Sequence, residues 1–214
     1  MISAVIFDFD GIIVDSERLH WAAFNKVLEP LGKAIAWNDY IKDIIGFDDR
    51  DAFRHIFPKS GTNELAGLIG KKAAAFQELL ESDGAAALPG AVELIKHLSG
   101  NIPLAICSGA LRTDIFPILG KLGIEKAFDT IVTADDTHIS KPDPAPYKLA
   151  MQKLGVISGL AIEDTPAGIY SAKGAGLKVL SVTNSYPAET LTQADAIVDS
   201  LENLTLKKLN RLVG

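Results

Sequence analysis

Four short segments that each lead into polar residues constrain the fold of this chain more than any other feature. The first is the apolar run Ala4-Val5-Ile6-Phe7, which is followed at once by Asp8-Phe9-Asp10-Gly11. The others lead into Cys107-Ser108-Gly109, Ser140-Lys141-Pro142 and Ile162-Glu163-Asp164. Short apolar runs bounded by turn residues are typical of buried parallel strands. Because ligands bind outside the carboxyl ends of such strands, we expect these polar side chains to meet at one edge of a sheet.

Strand and helix signals alternate from about Leu88 onward, which predicts an α/β fold with helices covering a parallel sheet. Asp143-Pro144 and Thr165-Pro166 each offer a cap and a proline at the first helical position. The predicted strands are Pro103–Cys107, Phe128–Thr133, Leu160–Ile162, Val179–Val182 and Ala196–Val198. Helices are predicted between them, ending at Gly123, Gly155 and Gly176, and again over Leu201–Leu212.

Residues 15–87 show helical patterning and no convincing strand. We therefore predict a discontinuous α/β core formed by residues 1–14 and 88–214, with a helical cap formed by residues 15–87. Hinges are expected near Val14-Asp15-Ser16 and Ala86-Ala87-Leu88-Pro89. A helical lid over an α/β core is typical of a site that must exclude water.

Composition excludes several classes of protein. The net charge is −6 and no dense Lys/Arg run is present, which argues against a nucleic-acid partner. No apolar run reaches the roughly 18 residues of a membrane helix, and the first strand begins too early for a signal peptide. The single cysteine, Cys107, precludes an intramolecular disulfide and suits a reducing compartment, so we expect a cytoplasmic protein. The oligomeric state is not set by the sequence, and a monomer is favoured.

Asp8 and Asp10 are the strongest catalytic candidates, because residues two apart on a strand share a face. One carboxylate can attack phosphorus, while its neighbour protonates the leaving oxygen and later deprotonates water. Two carboxylates this close repel each other, which favours a divalent cation or a shared proton. The alternative is an acidic turn at a strand end, with Gly11 only permitting the turn.

Glu163-Asp164 ends another apolar run and offers the hard oxygen ligands that suit magnesium. The alternative for this pair is an N-cap for the helix that begins at Pro166, supplied by Asp164 or Thr165.

Ser108-Gly109 and Lys141 are candidates for binding phosphate. A hydroxyl and backbone N–H groups at a helix start can hold phosphate, although a capping serine is the simpler interpretation of Ser108. Lys141 precedes two prolines, Pro142 and Pro144, and this stiff segment can direct its ammonium group at phosphoryl oxygens. The alternative for Lys141 is an ordinary surface lysine.

Within residues 15–87, three side chains are candidates for binding substrate: His20, Arg50 and Lys72. The stretch Gly46-Phe47-Asp48-Asp49-Arg50-Asp51 predicts one of two structures. It is either a loop that brings Arg50 to a substrate anion, or a glycine turn and a helix start with acids in the first turn. For His20 the alternative is a packing or surface histidine, and for Lys72, which follows another lysine, a solvated helix face.

Taken together and in this order, the four segments resemble the motifs of the haloacid dehalogenase superfamily, in particular its phosphatase and phosphomutase members with an inserted helical cap. The stretch from Asp8 to Ser16 is similar to the first motif of the family. Ser108, Lys141-Pro142-Asp143-Pro144 and the stretch from Glu163 to Ile169 are similar to the other three. The resemblance covers essentially the whole chain and implies a Rossmann-like parallel sheet with an inserted α-helical cap.

This resemblance implies roles for individual residues. Asp8 is the nucleophile and Asp10 the general acid and base, while Ser108 and Lys141 bind the transferring phosphoryl group. Mg²⁺ would be held by Asp8, the carbonyl oxygen of Asp10 and Asp164, with Glu163 as a further candidate. The acid at position 10 points to phosphate monoesters, because dehalogenase members lack an acid there and ion-pumping members typically carry threonine.

The inserted segment resembles that of β-phosphoglucomutase, with two departures. The loop between Gly46 and Arg50 is one residue longer, and Gly109-Ala110-Leu111-Arg112 lacks the mutase's Lys-Asn pair. We therefore expect a magnesium-dependent phosphatase acting on a small phosphorylated metabolite, with a sugar phosphomutase as the alternative. A phosphonate-cleaving enzyme that uses Lys72 as a Schiff base has little support. A non-catalytic family member is disfavoured because all four motif positions are filled.

Overall fold

A six-stranded parallel sheet forms the centre of the computed structural model, which describes residues 1–214. The strands are β1 (Val5–Phe7), β2 (Val14–Asp15), β3 (Ala86–Ala87), β4 (Leu104–Cys107), β5 (Thr130–Val132), β6 (Leu160–Glu163), β7 (Lys178–Val182) and β8 (Ala196–Val198). Six of them pair in the order β5-β4-β1-β6-β7-β8, and every pair is parallel. The order reverses beside β1, which is where open α/β sheets bind ligands. The predicted α/β fold is confirmed.

Nine α-helices accompany these strands. They are α1 (Glu17–Leu28), α2 (Trp37–Asp43), α3 (Asp49–Ile56), α4 (Thr62–Ser82), α5 (Ala91–Leu98), α6 (Arg112–Leu122), α7 (Ala145–Leu154), α8 (Pro166–Gly174) and α9 (Leu206–Leu212). Helices α1 to α4 follow one another between β2 and β3, two short strands that pair antiparallel. This pair joins the two ends of the helical segment where hinges are expected. None of the nine helices is both long enough and apolar enough to cross a membrane.

Alternate residues of the central strands pack on opposite faces of the sheet. Val5 and Phe7 belong to a large apolar cluster on one face, whereas Ile6 joins a second cluster on the other face. Residues two apart on a strand point the same way, so β1 is buried on both sides and consists only of apolar residues. A third cluster, which includes Phe24 and Phe53, lies within the helical segment and packs its helices together.

Most predicted boundaries lie close to the observed ones, with two differences in the later helices. Helix α9 begins at Leu206 rather than Leu201, because Thr205 caps it by accepting a hydrogen bond from the backbone N–H of Lys208. Helix α8 ends at Gly174, two residues before the predicted stop. Pro117 lies inside α6 and does not end it.

Candidate active site

Asp8 and Asp10 leave the carboxyl end of the central strand β1. The strand itself ends at Phe7, although the backbone N–H of Asp8 still donates to the carbonyl of Ile162 in β6 at 2.9 Å. A tight turn follows at Gly11, whose φ of +72° lies in the region that favours glycine. The sequence spacing predicts that the two aspartates share one face of a strand. This prediction is wrong, because both lie beyond the end of β1. The turn nevertheless brings both of them to one cavity.

Lys141 links the end of β1 to the end of β6. Its Nζ lies 2.9 Å from Oδ1 of Asp8 and 2.6 Å from Oε1 of Glu163. Glu163 is fully buried and also accepts a hydrogen bond from the hydroxyl of Tyr147 at 2.7 Å. Burial opposes the charge on Lys141, but the neighbouring Asp8 and Glu163 raise its pKa above the ordinary value. Lys141 is thus a charged ammonium group fixed beside Asp8.

The route by which Lys141 reaches this position differs from the prediction. Strand β5 ends at Val132, so no strand leads into Ser140-Lys141-Pro142. Lys141 lies instead in the long loop between β5 and α7, and it is buried rather than a surface lysine. The position of Lys141 therefore depends on its ion pairs and not on a strand.

Asp8, Glu163 and Asp164 form an acidic cluster that fits a metal ion. One carboxylate oxygen from each lies within 4.8 Å of the others. Oδ1 of Asp164 is buried without a hydrogen-bond partner, which is costly unless another group binds it. Burial, followed by the charge of Glu163, raises the pKa of Asp8 to about 8, and burial also raises the pKa of Asp164. A divalent cation with oxygen ligands, such as Mg²⁺, fits this donor set.

Asp10 points away from this cluster, toward the helical segment. Its Oδ1 accepts a hydrogen bond from the hydroxyl of Ser16 and lies 3.3 Å from Nε2 of His20. Burial opposes ionisation of Asp10, but the contacts with His20 and Ser16 and the charge of Lys72 hold its pKa below the ordinary value. The carboxylate of Asp10 is therefore ionised at neutral pH and lies beside groups that can carry a proton.

Ser108 follows β4 but does not cap a helix. Helix α6 begins four residues later at Arg112, and its N-cap residue is Leu111. The hydroxyl oxygen of Ser108 accepts a hydrogen bond from the backbone N–H of Ala110 at 2.9 Å. The interpretation of Ser108 as a helix cap is therefore wrong. Ser108 and Gly109 both line the cavity with Asp8, and their binding of phosphate stays a prediction.

Comparisons with known proteins identify the family of this chain. Residues 5–182 match the sequence profile described as haloacid dehalogenase-like hydrolase. The chain belongs to the haloacid dehalogenase-like hydrolase family. The resemblance of the four motifs to that family is thereby confirmed.

Similar proteins of this family include several phosphatases. Validoxylamine A 7'-phosphate phosphatase of Streptomyces hygroscopicus subsp. limoneus is 30% identical over 208 residues, covering 94% of this chain and 95% of that protein. Hexitol phosphatase A of Escherichia coli (strain K12) is 30% identical, covering 95% and 93%. Among solved structures, β-phosphoglucomutase of Clostridium difficile is 26% identical with a TM-score of 0.88, covering 100% of this chain and 97% of that one.

Two of the three candidate residues of the helical segment line the cavity of this hydrolase. Lys72 is only 1% exposed, and its Nζ lies 2.8 Å from Oδ1 of Asp49 and 2.7 Å from Nδ1 of His20. His20 is buried and stacks on Phe76 with ring centroids 4.2 Å apart. The solvated-face interpretation is therefore wrong for Lys72, whose preceding residue Lys71 takes the exposed position.

Arg50 does not line this cavity. Its Nε donates to Oδ2 of Asp48 at 2.9 Å, and its Nη1 donates to the carbonyl of Thr137 at 3.0 Å. Asp48 also caps α3 by accepting a hydrogen bond from the backbone N–H of Asp51, so the helix-start interpretation of this stretch is confirmed. The hypothesis that Arg50 holds a substrate anion is at odds with this placement, because its guanidinium group is already paired.

Three acids that the sequence analysis did not single out also line the cavity: Glu17, Asp49 and Asp114. Asp114 is 2% exposed and lies on the buried face of α6, among Ile115, Ile118 and Leu119. An acid at helical spacing on an apolar face is unusual, and that pattern is the signal that marks Asp114 in the sequence. Glu17 and Asp49 lie in the first turns of α1 and α3, where acids are common, so nothing distinguishes them.

The acidic cluster is packed tightly against the start of α8. Thr165, not Asp164, caps this helix by accepting a hydrogen bond from the backbone N–H of Gly168 at 3.0 Å. A Cβ atom at Gly168 would lie 1.9 Å from Cδ of Glu163. Because Glu163 is held by Lys141 and Tyr147, it cannot move aside easily.

Gly168→Ala should therefore lower the free energy of unfolding, by about 1–3 kcal/mol as is typical of overpacking. Gly120→Ala is the matched control, because Gly120 also lies in a helix but has no atom within 4 Å of an added Cβ. That variant should be neutral or more stable by up to about 1 kcal/mol. Urea denaturation followed by circular dichroism measures both, and equal effects would contradict the packing argument.

Proposed function

We propose that this hydrolase is a magnesium-dependent phosphatase that cleaves a small phosphorylated metabolite through an aspartyl phosphate at Asp8. The observation that carries the proposal is the Lys141 ammonium group between Asp8 and Glu163, because Lys141 lines one cavity together with Asp8, Asp10 and Ser108. The phosphatases among its relatives support the same reaction class.

In the first step, a carboxylate oxygen of Asp8 attacks phosphorus and the bond to the leaving oxygen breaks. The Lys141 ammonium and the hydroxyl of Ser108 lie on the cavity wall, where they can stabilise the phosphoryl oxygens. Asp10 donates a proton to the leaving alkoxide. The negative phosphoryl group raises the pKa of Asp10 by repulsion, which lets it carry that proton despite its low pKa in the free protein.

In the second step, the now ionised Asp10 takes a proton from water, and the resulting hydroxide attacks the aspartyl phosphate. Inorganic phosphate leaves and the carboxylate of Asp8 is restored. His20 and Ser16 hold Asp10 in place in both steps through their contacts with its Oδ1. One residue thus serves as acid and then as base.

The acidic cluster supplies the residues that would hold Mg²⁺: the carboxylates of Asp8 and Asp164, with Glu163 beside them. The carbonyl oxygen of Asp10 is a further ligand by family resemblance. Bound Mg²⁺ supplies positive charge that offsets the repulsion between these carboxylates and the phosphoryl oxygens. Asp164 has a free oxygen for this purpose, whereas the oxygens of Glu163 already accept hydrogen bonds from Lys141, Tyr147 and Thr165.

Asp164→Asn should therefore weaken magnesium binding more than Glu163→Gln does, although each change removes one negative charge. We expect a loss of more than about 100-fold for Asp164→Asn and about 10- to 100-fold or less for Glu163→Gln, which acts through its neighbours. Isothermal titration calorimetry with MgCl₂ measures binding directly, and the dependence of rate on Mg²⁺ gives a second value. The reverse order would contradict the assignment of Asp164 as the firmer ligand.

We also propose that helices α1 to α4 act as a cap that opens for the substrate. The cavity has a volume of about 60 Å³, well below the roughly 300 Å³ at the low end of ligand pockets. Residues of the helical segment also contact the core beside the cavity, as in the hydrogen bond from Nε2 of Gln77 to Oδ1 of the cavity-lining Asp114 at 2.7 Å. Movement about the β2–β3 pair would admit the substrate and then exclude water.

The experiment that tests the proposed function is a screen of phosphorylated metabolites with MgCl₂, including β-glucose 1-phosphate with a bisphosphate activator. Release of inorganic phosphate without isomerisation is the expected result. Conversion of β-glucose 1-phosphate to glucose 6-phosphate would instead show a phosphomutase.

A further inference from the structure

The wall of the cavity is acidic beyond the two aspartates that follow β1. Three additional carboxylates line it, those of Glu17, Asp49 and Asp114, whereas the ammonium groups on its wall are those of Lys72 and Lys141. The net charge that the alcohol portion of a substrate meets in the cavity depends on which of these side chains already form ion pairs with one another.

Both ammonium groups are paired with carboxylates. Lys141 lies between Asp8 and Glu163, and Lys72 lies 2.8 Å from Asp49. His20 contacts Asp10, so any positive charge on its ring is offset there as well. Glu17 and Asp114 are left without a cationic partner, since no ion pair involves either of them.

Three arginines lie within two positions of cavity-lining residues in the sequence, and each makes its contacts elsewhere. The guanidinium group of Arg18 lies 3.6 Å from the ring centroid of Trp37. Arg50 pairs with Asp48, and Arg112 donates to Oδ2 of Asp136 at 2.9 Å. None of the three guanidinium groups lines the cavity. No free cation therefore faces the place where a second anionic group of a substrate would lie.

Asp114 provides the second observation. It belongs to the core and is 98% buried, with its Oδ1 held by Nε2 of Gln77 at 2.7 Å. No side chain or backbone group of the protein donates a hydrogen bond to its Oδ2. Because Oδ2 is not fully enclosed by protein atoms and Asp114 lines the cavity, the cavity is the place from which a donor can come.

We infer that this part of the cavity selects phosphate monoesters whose alcohol portion carries hydroxyl or ammonium groups and no second anionic group, with Asp114 accepting a hydrogen bond from one of them. The inference rests on the proposed phosphatase function and narrows its substrate class. A second phosphate would face Glu17 and Asp114 without a free cation, and such like-charge contacts are strongly unfavourable.

The test compares kcat/KM within matched pairs: glucose 6-phosphate with glucose 1,6-bisphosphate, and fructose 6-phosphate with fructose 1,6-bisphosphate. In each pair we expect the bisphosphate to be the poorer substrate by about 10-fold or more. Glucosamine 6-phosphate, measured beside glucose 6-phosphate, shows whether an ammonium or a hydroxyl donor is preferred, and turnover of either fits the inference.

Asp114→Asn tests the residue itself. Because Gln77 holds Oδ1, the amide nitrogen of the variant takes the position of Oδ2 and presents a donor to the cavity. The variant should have a lower kcat/KM for the monophosphate. The ratio of kcat/KM for the monophosphate to kcat/KM for the bisphosphate should fall several-fold. Asp39→Asn is the matched control, because Asp39 is exposed outside the cavity, and it should leave that ratio unchanged.

The outcomes separate this inference from the function on which it rests. A bisphosphate that is hydrolysed as well as its monophosphate, or an unchanged ratio in Asp114→Asn, would overturn the inference and leave the phosphatase function intact. Hydrolysis of p-nitrophenyl phosphate but of no sugar monophosphate would also overturn the inference and leave the phosphatase function intact. If not even p-nitrophenyl phosphate is hydrolysed, both the proposed function and the inference are wrong.

Discussion

Asp8→Asn should reduce the release of inorganic phosphate from any substrate by a factor on the order of 10⁴ or more. The amide cannot attack phosphorus, so the covalent route is lost, while the isosteric side chain keeps its place beside Lys141. A colorimetric phosphate assay measures the effect. Circular dichroism and thermal unfolding check that the variant is folded.

Asp39→Asn removes the same charge from an exposed position and should retain full activity. Near-normal turnover in Asp8→Asn would show that Asp8 is not the nucleophile. It would leave Asp10 and the acidic cluster to be explained by a different reaction.

Asp10→Asn should lower kcat on a sugar phosphate by roughly 10²- to 10⁴-fold, the range typical of losing a general acid and base. The variant keeps an oxygen that can accept from Ser16, so its structure should persist. p-Nitrophenyl phosphate distinguishes the two steps, because its leaving group needs little protonation. With this ester the variant should show a rapid burst of nitrophenol followed by slow turnover, measured by stopped-flow absorbance.

Asp39→Asn is again the control, since it removes a carboxylate from an exposed position outside the cavity. Steady turnover of p-nitrophenyl phosphate without a burst would mean that Asp10 does not activate water in the second step.

Residues set by local sequence were the most predictable part of the candidate site. Asp8 follows β1 directly with Asp10 two residues further on, and the Glu163-Asp164 pair lies at the end of β6. The parallel sheet brings β1 and β6 side by side. Neighbouring strands of a parallel sheet end at one edge, so the meeting of these residues follows from the order of the elements alone.

Residues whose position depends on distant packing were harder to predict. Lys72 is a neighbour of Lys71 in sequence, and only the packing of α4 against α1 decides which of them is buried. Arg50 pairs locally with Asp48, but its hydrogen bond to the carbonyl of Thr137 depends on how the start of α3 meets the core. Asp114 lies on a helix whose end was predicted correctly but whose start lies four residues later than predicted, and its position depends on the contact with Gln77 of α4.

The most direct test of the proposed mechanism is to identify the phosphorylated residue during turnover. Asp10→Asn would be mixed with p-nitrophenyl phosphate and MgCl₂, quenched in acid within the burst, digested and analysed by mass spectrometry. We predict one phosphoryl group on the peptide that begins at the N-terminus, located at Asp8, and none when Asp8→Asn is added to the same protein. A phosphoryl group on Ser108 or on any other residue, or a burst with no phosphorylated peptide, would contradict the aspartyl-phosphate mechanism.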